Sequence, residues 1–285
     1  MSGNNSCSWG RVKQPERLKV TMQVTKISFG KILKPCTLLT FNYQLDPYLG
    51  CEHLCSYCYG LNEAKTSWAE EILIYDDLFE RLSDQLSGVE PQTIYIGMNS
   101  DPYQQSEKKH YQTRTVLELL AERGFSASVL TKSGLVVRDI ELFKMMPAPS
   151  VGISLAFADE DTRKRFEKKA PSNHERVAAL QKMKEAGIRT YTLICPVMPY
   201  ITDLEIMIDM VAPYTEEIWI YSLQMNSAAD QNWKNLSAVL KQYYPELTAG
   251  YKEIAFSSRH VYWQGVKSEV EKIRKKQPTT IIDKI

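Results

Sequence analysis

An α/β fold, specifically an incomplete (β/α)6 TIM-type barrel with a C-terminal helical appendage, is what this sequence predicts. Three observations predict it. Six short β-branched or aromatic runs recur along the chain, helical patterns with apolar residues three and four apart lie between them, and glycines or capping residues mark the borders. A repeated strand, helix, strand order puts parallel strands in one sheet with helices outside. Six units suit an open barrel, and a doubly wound sheet is the structural alternative.

Residues 1–36 read as an N-terminal extension. The barrel core runs from 37 to 225 and opens on TLLTFN (37–42) as its first strand. DDLFERLSDQL (76–86) is helical, TIYIGM (93–98) a strand, TRTVLELLAER (113–123) a helix and SASVLTK (126–132) the third strand. RDIELFKMM (138–146), SVGISLA (150–156), HERVAALQKMKEA (174–186), RTYTLIC (189–195), DLEIMIDMV (203–211) and EIWIYSL (217–223) continue the alternation. Gly124 and Gly187 follow helical runs where a left-handed C-terminal cap is expected. Ser172 with Glu175, and Thr202 with Glu205, have the spacing of capping boxes. From 226 to 285 the strand rhythm stops, and the charged remainder reads as helices packed on the core.

With 44% hydrophobic residues in 285, the chain can bury a sizeable core. Thirty-five basic against 34 acidic side chains give no global field that would gather nucleic acid or an anionic membrane. A nucleic-acid partner therefore needs a local basic groove. EKKHYQTR (107–114), TRKRFEKK (162–169) and EKIRKK (271–276) are basic, but acids interleave them and they read as solvated helix faces. The first twenty residues are polar, unlike a secretory leader, and TYTLICPVMPYI (190–201) falls short of the ~20 apolar residues that span a bilayer. The expectation is a cytoplasmic protein without a membrane partner.

In a reducing compartment, clustered cysteines read as metal ligands or redox groups. Three of the six fall within GCEHLCSYCYG (50–60): Cys51, Cys55 and Cys58. Cys7, Cys36 and Cys195 are scattered. Spacings of four and three let one loop wrap a cubane iron-sulfur cluster, and three ligands instead of four leave one iron open. Structural zinc completed by His53 or Cys36 is the bland alternative, but zinc sites usually pair two separated ligand couples and no second couple is visible. The loop follows the first strand, at the end of a barrel where active sites lie. His53 reads as a hydrogen-bonding residue of the loop.

Cys51-x3-Cys55-x2-Cys58, with Tyr57 before the last cysteine, resembles the signature of the radical S-adenosylmethionine (SAM) superfamily. The longer string DPYLGCEHLCSYCYG (46–60) is similar to the spore photoproduct lyase and DNA repair photolyase branch. IGMNSDPYQ, VLTKSGLVVRD, VGISLAF and APSNHERVAALQKMKEAGI continue the likeness in order. The resemblance implies that Cys51, Cys55 and Cys58 hold a 4Fe-4S cluster that chelates SAM. It implies SAM contacts at Ser100, Asp101, Lys132 and Ser154, with Tyr57 against the adenine or presenting backbone groups to it. Reductive cleavage would give methionine and a 5'-deoxyadenosyl radical, fed by an electron donor such as flavodoxin or ferredoxin, with nucleic acid among the substrates implied. The branch also uses a hydrogen-donating cysteine just before its Ser-Asp pair; that position is Met98, which has no S–H. Tyr59, beside a cluster ligand, is the preferred donor and Cys195, ending the fifth strand run, the second. The rival from another class is a non-catalytic iron-sulfur or zinc-binding module.

Overall fold

The computed structural model describes residues 22–63, 66, 68 and 70–285. Cys7 and residues 1–21 of the expected extension lie outside them. Strands fall at β1 (Gln23–Ile27), β2 (Lys34–Pro35), β3 (Tyr43–Leu45), β4 (Tyr48–Leu49), β5 (Glu71–Tyr75), β6 (Thr93–Ile96), β7 (Ser126–Thr131), β8 (Ser150–Leu155), β9 (Arg189–Val197), β10 (Glu217–Ser222) and β11 (Thr280–Lys284). Eight of them form the main sheet in the order β11-β10-β9-β8-β7-β6-β3-β2. Neighbours from β3 to β11 pair in parallel, and β2 joins β3 antiparallel. The order follows the chain without reversal, whereas a doubly wound sheet turns back at a switch point. Right-handed crossovers then place the connecting helices on one face. The sheet is open, since among the described residues no pairing joins β2 to β11.

Two expectations need correction. TLLTFN is not the first strand: the Cys36 N–H bonds Asn42 O at 2.9 Å, closing a turn that leaves Leu39 fully exposed, and Tyr43–Leu45 pairs instead. The C-terminal region is not purely helical. After helices Gln231–Tyr243, Thr248–Ala255 and Val261–Arg274, the β-branched run at 279–282 supplies β11, with Ile281 opposite Ile218. Leu236, Trp263 and Ile281 share one hydrophobic core with Ile94, Val151 and Ile194. A second sheet, β1-β5-β4, went unread in EILIY (71–75) and holds Tyr48–Leu49 just before the cysteine loop.

Most helices fall where the 3.6 period puts them: Leu78–Leu86, Gln112–Glu122, Asn173–Glu185 and Leu204–Val211. Ile140–Lys144 is a short continuation of the 3-10 turn Gly134–Asp139. Gly124 and Gly187 adopt left-handed φ, and Ser172 with Glu175 forms the capping box. The second box does not form. Asp203 caps that helix by accepting from the Ile206 N–H, while Thr202 Oγ1 donates to Ala156 O at 3.0 Å.

Along β9, Thr190, Thr192 and Ile194 are buried while Tyr191, Leu193 and Cys195 are half-exposed. β10 repeats the alternation, with Ile218 and Ile220 buried and Trp219 and Tyr221 half-exposed. This period of two separates a face packed under helices from one that lines the concave lumen. Across the lumen side of β8, a Cβ at Gly152 would lie 2.2 Å from the Tyr191 ring, so only glycine leaves room for that ring. Tyr191 then reaches Val129 O with its hydroxyl at 3.2 Å.

Candidate active site

The chain leaves β4 and turns at once into the cysteine loop. Cys51 and Cys55 are buried and Cys58 is half-buried. The backbone of His53 beside Cys51, and that of Gly60 and Leu61 beside Cys58, act on those thiols against the effect of burial. A Cβ at Gly60 would fall 2.7 Å from Asn99 O, so glycine lets the end of the loop lie against the turn after β6. Burial pushes all three thiols up, with Glu167 adding to the effect at Cys55 and Lys132 opposing it. Such sulfurs hold negative charge only against a cation. Three thiols presented by one loop, two of them beside backbone N–H groups, fit an iron-sulfur cluster. Among the described residues, no three His, Cys, Asp or Glu side chains converge to hold a single metal ion, as a mononuclear zinc site requires.

The loop is stitched to the segment that follows the helix Glu160–Phe166. Cys55 forms an antiparallel bridge with Glu167, the Ser56 N–H bonds Phe166 O at 2.8 Å, and the Lys169 N–H bonds His53 O at 3.1 Å. Glu167 is fully buried and receives Arg176 Nη2 at 2.5 Å and the Tyr57 hydroxyl. Burial alone would raise its carboxyl, but Arg176, Lys132 and the Tyr57 hydroxyl together hold it below the ordinary range. Arg176, also without exposure, donates to Pro171 O at 3.0 Å and Ser154 O at 3.1 Å. Tyr57 is therefore turned inward, its ring centroid 6.2 Å from that of Phe157.

Lys132 directly follows β7 and extends Nζ to Ser154 Oγ at 2.8 Å, with Glu167 Oε1 at 3.9 Å. Asp101 fixes the backbone beneath it. Its carboxylate accepts from the Lys132 N–H at 2.7 Å, Thr131 Oγ1 at 2.6 Å and the Tyr103 N–H at 2.9 Å. His53 Nε2 lies 3.0 Å from Asp101 Oδ2, close enough for charge attraction but off the line of a hydrogen bond. Burial pushes the Asp101 carboxyl up; His53, Thr131 and the Lys132 N–H outweigh it and bring the carboxyl to about 2. Ser100 behaves differently, donating Oγ to Tyr48 O at 2.6 Å.

Tyr59 is half-exposed and donates its hydroxyl to the Met98 carbonyl. Cys195 sits on the lumen face of β9, within electrostatic reach of Lys132 and Cys58, and burial pushes its thiol up to about 11. The structure thus gathers Cys55, Tyr57, Lys132 and Ser154 around Glu167. Cys195 shares their lumen, while Ser100 and Asp101 are spent on backbone.

Glu167, Arg176 and the buried His53 were missed or underread. TRKRFEKK reads as a solvated face, yet Arg163 and Glu167 are buried within it; EKKHYQTR likewise hides Glu107, which is fully buried and accepts from Arg138 Nη2 at 2.6 Å. The available signal was Pro171-Ser172, which ends the first segment and returns Arg176 toward Glu167.

A family model described as "Radical SAM superfamily" matches residues 45–210. An uncharacterized protein of Methanocaldococcus jannaschii is 30% identical over 230 residues, 79% of this chain and 85% of that protein. One from Mycobacterium tuberculosis is 25% identical over 234 residues, 76% of this chain and 68% of the relative. Among solved structures, a spore photoproduct lyase mutant with bound AdoMet and dinucleoside spore photoproduct aligns with a TM-score of 0.56 at 15% identity, covering 78% of this chain. The chain spans just under two thirds of that lyase, 66%. Streptococcus suis SuiB bound to S-adenosylmethionine aligns with a TM-score of 0.51 at 11% identity, over 85% of this chain and 47% of SuiB. Both are likenesses of fold. No described helix is long and apolar enough to cross a membrane.

Proposed function

Because the chain belongs to the radical SAM superfamily, we propose that it is an enzyme that holds a 4Fe-4S cluster on Cys51, Cys55 and Cys58 and cleaves SAM there. When bound, the cluster would supply the electron for that cleavage and so a 5'-deoxyadenosyl radical able to take a hydrogen atom from a substrate in the lumen. Lys132 carries this conclusion. Glu167 is met by Arg176 at 2.5 Å and by Lys132 only at 3.9 Å, and Asp101 accepts from three hydrogen-bond donors. The largely buried Lys132 ammonium thus has a neutral hydroxyl, Ser154, as its one hydrogen-bond partner among the described residues and a carboxylate only at 3.9 Å, which leaves it free to take an anionic group beside the cysteines.

The SAM carboxylate suits Lys132. Ser154, whose oxygen accepts from Lys132, keeps its own hydrogen for the carboxylate or a ribose hydroxyl. Asp101 acts through the Lys132 backbone, and Ser100 through the turn at Tyr48. With its ring turned toward Phe157, Tyr57 offers SAM its backbone polar groups and not its ring. Reconstituted protein reduced without oxygen is expected to form 5'-deoxyadenosine, and its absence with a full cluster would overturn the proposal. Lys132→Met is expected to keep iron and sulfide while weakening SAM binding by roughly 10- to 100-fold, the loss of one charge-assisted bond. Unchanged affinity would remove Lys132 from the site. Iron with matching sulfide also separates the enzyme from the rival binding module, for which one zinc and no iron is the expected analysis.

The substrate class we propose is a nucleotide or nucleic acid, supported by likeness of fold to a lyase solved with a dinucleoside. Met98 argues against the same lesion chemistry. For returning hydrogen to the substrate radical, Cys195 now ranks above Tyr59. The Tyr59 hydroxyl is committed to Met98 O, whereas Cys195 shares the lumen face with Tyr191 and Leu193. Turnover in deuterated water is expected to put solvent deuterium into product, lost in Cys195→Ala and kept in Tyr59→Phe. The opposite pattern would restore Tyr59.

A further inference from the structure

A cavity of about 660 Å3 opens beside the cysteine loop, lined on one side by Glu52 and His53 of the loop itself. Cys58, Tyr59, Lys132, Ser154 and Cys195 are not among its lining residues, so an occupant would touch the loop without filling the lumen. From three separate segments, Lys108, Lys169 and Lys182 reach its wall, together with His174. All four are exposed, and none of the three lysines has an ion-pair partner among the described residues. The two carboxylates in the wall are held by neutral donors and keep their charge, so three lysines stand against two acids. Glu52 Oε2 accepts from the Ser106 N–H at 2.5 Å, and Glu175 Oε2 accepts from Ser172 N and Oγ, each at 2.9 Å. On a chain with a net charge of only +1, this cationic excess is local.

The rim is also wired to the cluster ligands. The Lys169 N–H bonds His53 O at 3.1 Å, and Glu52, in the cavity wall, is the chain neighbour of Cys51. His53 therefore stands one hydrogen bond from Lys169 on the rim and two residues along the loop from both Cys51 and Cys55. We infer that this cavity is the docking surface of a small acidic electron-transfer protein, which delivers its electron across Glu52 and His53 toward Cys51. The inference rests on the enzyme reading given above. In the step, the carrier's centre is oxidised by one electron and the 4Fe-4S cluster is reduced from its 2+ to its 1+ state; no bond breaks and no proton moves. Charge complementarity of this kind acts mainly on encounter rate, because an acidic face is steered to the lysines before any close packing forms. A nucleic-acid substrate fits the same charges less well, since its reacting base has to enter the lumen that this cavity avoids.

The test compares two reductants on reconstituted protein. Reduced plant-type ferredoxin, an acidic [2Fe-2S] carrier, and dithionite are each mixed with it, and bleaching of the cluster absorbance is followed. The variant carries Lys108→Glu, Lys169→Glu and Lys182→Glu, and the three single variants guard against misfolding. Reduction by ferredoxin at low salt is expected to slow by about tenfold or more in the triple variant, and the steep salt dependence of the unaltered protein should flatten. Reduction by dithionite, and the 5'-deoxyadenosine formed with it, should not change. Equal ferredoxin rates in the variant and the unaltered protein would overturn the docking surface. If the unaltered protein bleaches with ferredoxin but makes no deoxyadenosine with either reductant, the enzyme reading fails while the docking surface stands. A single-stranded oligonucleotide that binds the unaltered protein and not the variant, with ferredoxin rates the same in both, would assign the lysines to nucleic acid and overturn the inference.

Discussion

Cys55→Ala is expected to yield a folded protein that cannot keep its cluster. Iron and sulfide should fall to a small fraction of the unaltered protein's content, and SAM cleavage to background, because two thiolates cannot hold a cubane that three were placed to hold. The fold should survive for a local reason. The bridge from Cys55 to Glu167 and the bond from Ser56 N–H to Phe166 O are made by main chain, which alanine retains. Only a sulfur is lost from the packing, a loss of about 1 kcal/mol. Far-UV circular dichroism of the variant should therefore match that of the unaltered protein stripped of iron. Loss of helical signal together with the cluster would mean that the site holds the fold up instead of being carried by it.

Arg176→Leu is expected to have the larger effect on stability. It leaves Glu167 charged with no exposure and strips donors from Pro171 O and Ser154 O. Breaking a buried pair by removing one partner costs about 3–5 kcal/mol, to be read in urea unfolding. The pH dependence identifies the culprit. In the unaltered protein Glu167 titrates below its ordinary value, so its contribution is present above the unfolded pKa of about 4.3 and is lost as pH falls through the lower folded value. Without Arg176, only Lys132 and the Tyr57 hydroxyl oppose burial, so the folded value rises and the variant lacks much of the stability that ionised Glu167 contributes above about pH 4.3. The deficit should therefore be smaller in mild acid than at neutral pH. A deficit independent of pH would show that lost packing, and not the stranded carboxylate, is responsible. Adding Glu167→Gln should recover part of the loss.

The sheet was legible because its strands are short β-branched runs between regular helices, and five of the six predicted strands fall at their predicted places. TLLTFN failed for an identifiable reason. Its residues have the right propensity, but propensity cannot see that Asn42 closes a turn onto Cys36 while the shorter, less apolar Tyr43–Leu45 finds a partner in β6. β11 escaped because a charged helix precedes it and its pairing partner lies 63 residues back, at Ile218↔Ile281. In the site, the cysteines and Lys132 announce themselves by motif and by position at strand ends. Glu167 and Arg176 do not, because nothing in the spacing of a charged run tells a solvated carboxylate from one that a fold will enclose. His53 is the loop residue that the sequence suggests, but its burial against Asp101 could not be read from its position.

On β9 and β10 the residues that hold the fold and the residues that face the lumen alternate along the chain. Ile194, Ile218 and Ile220 have no exposure, while their neighbours Leu193, Trp219 and Tyr221 are half-exposed. Exchanging a half-exposed side chain costs far less than exchanging one in the core. The shape of the chamber is thereby free to drift from one descendant of this protein to another while the sheet around it stays the same. A library randomised at positions 193, 219 and 221 should be rich in folded members whose chambers differ; one randomised at 194, 218 and 220 should be mostly unfolded.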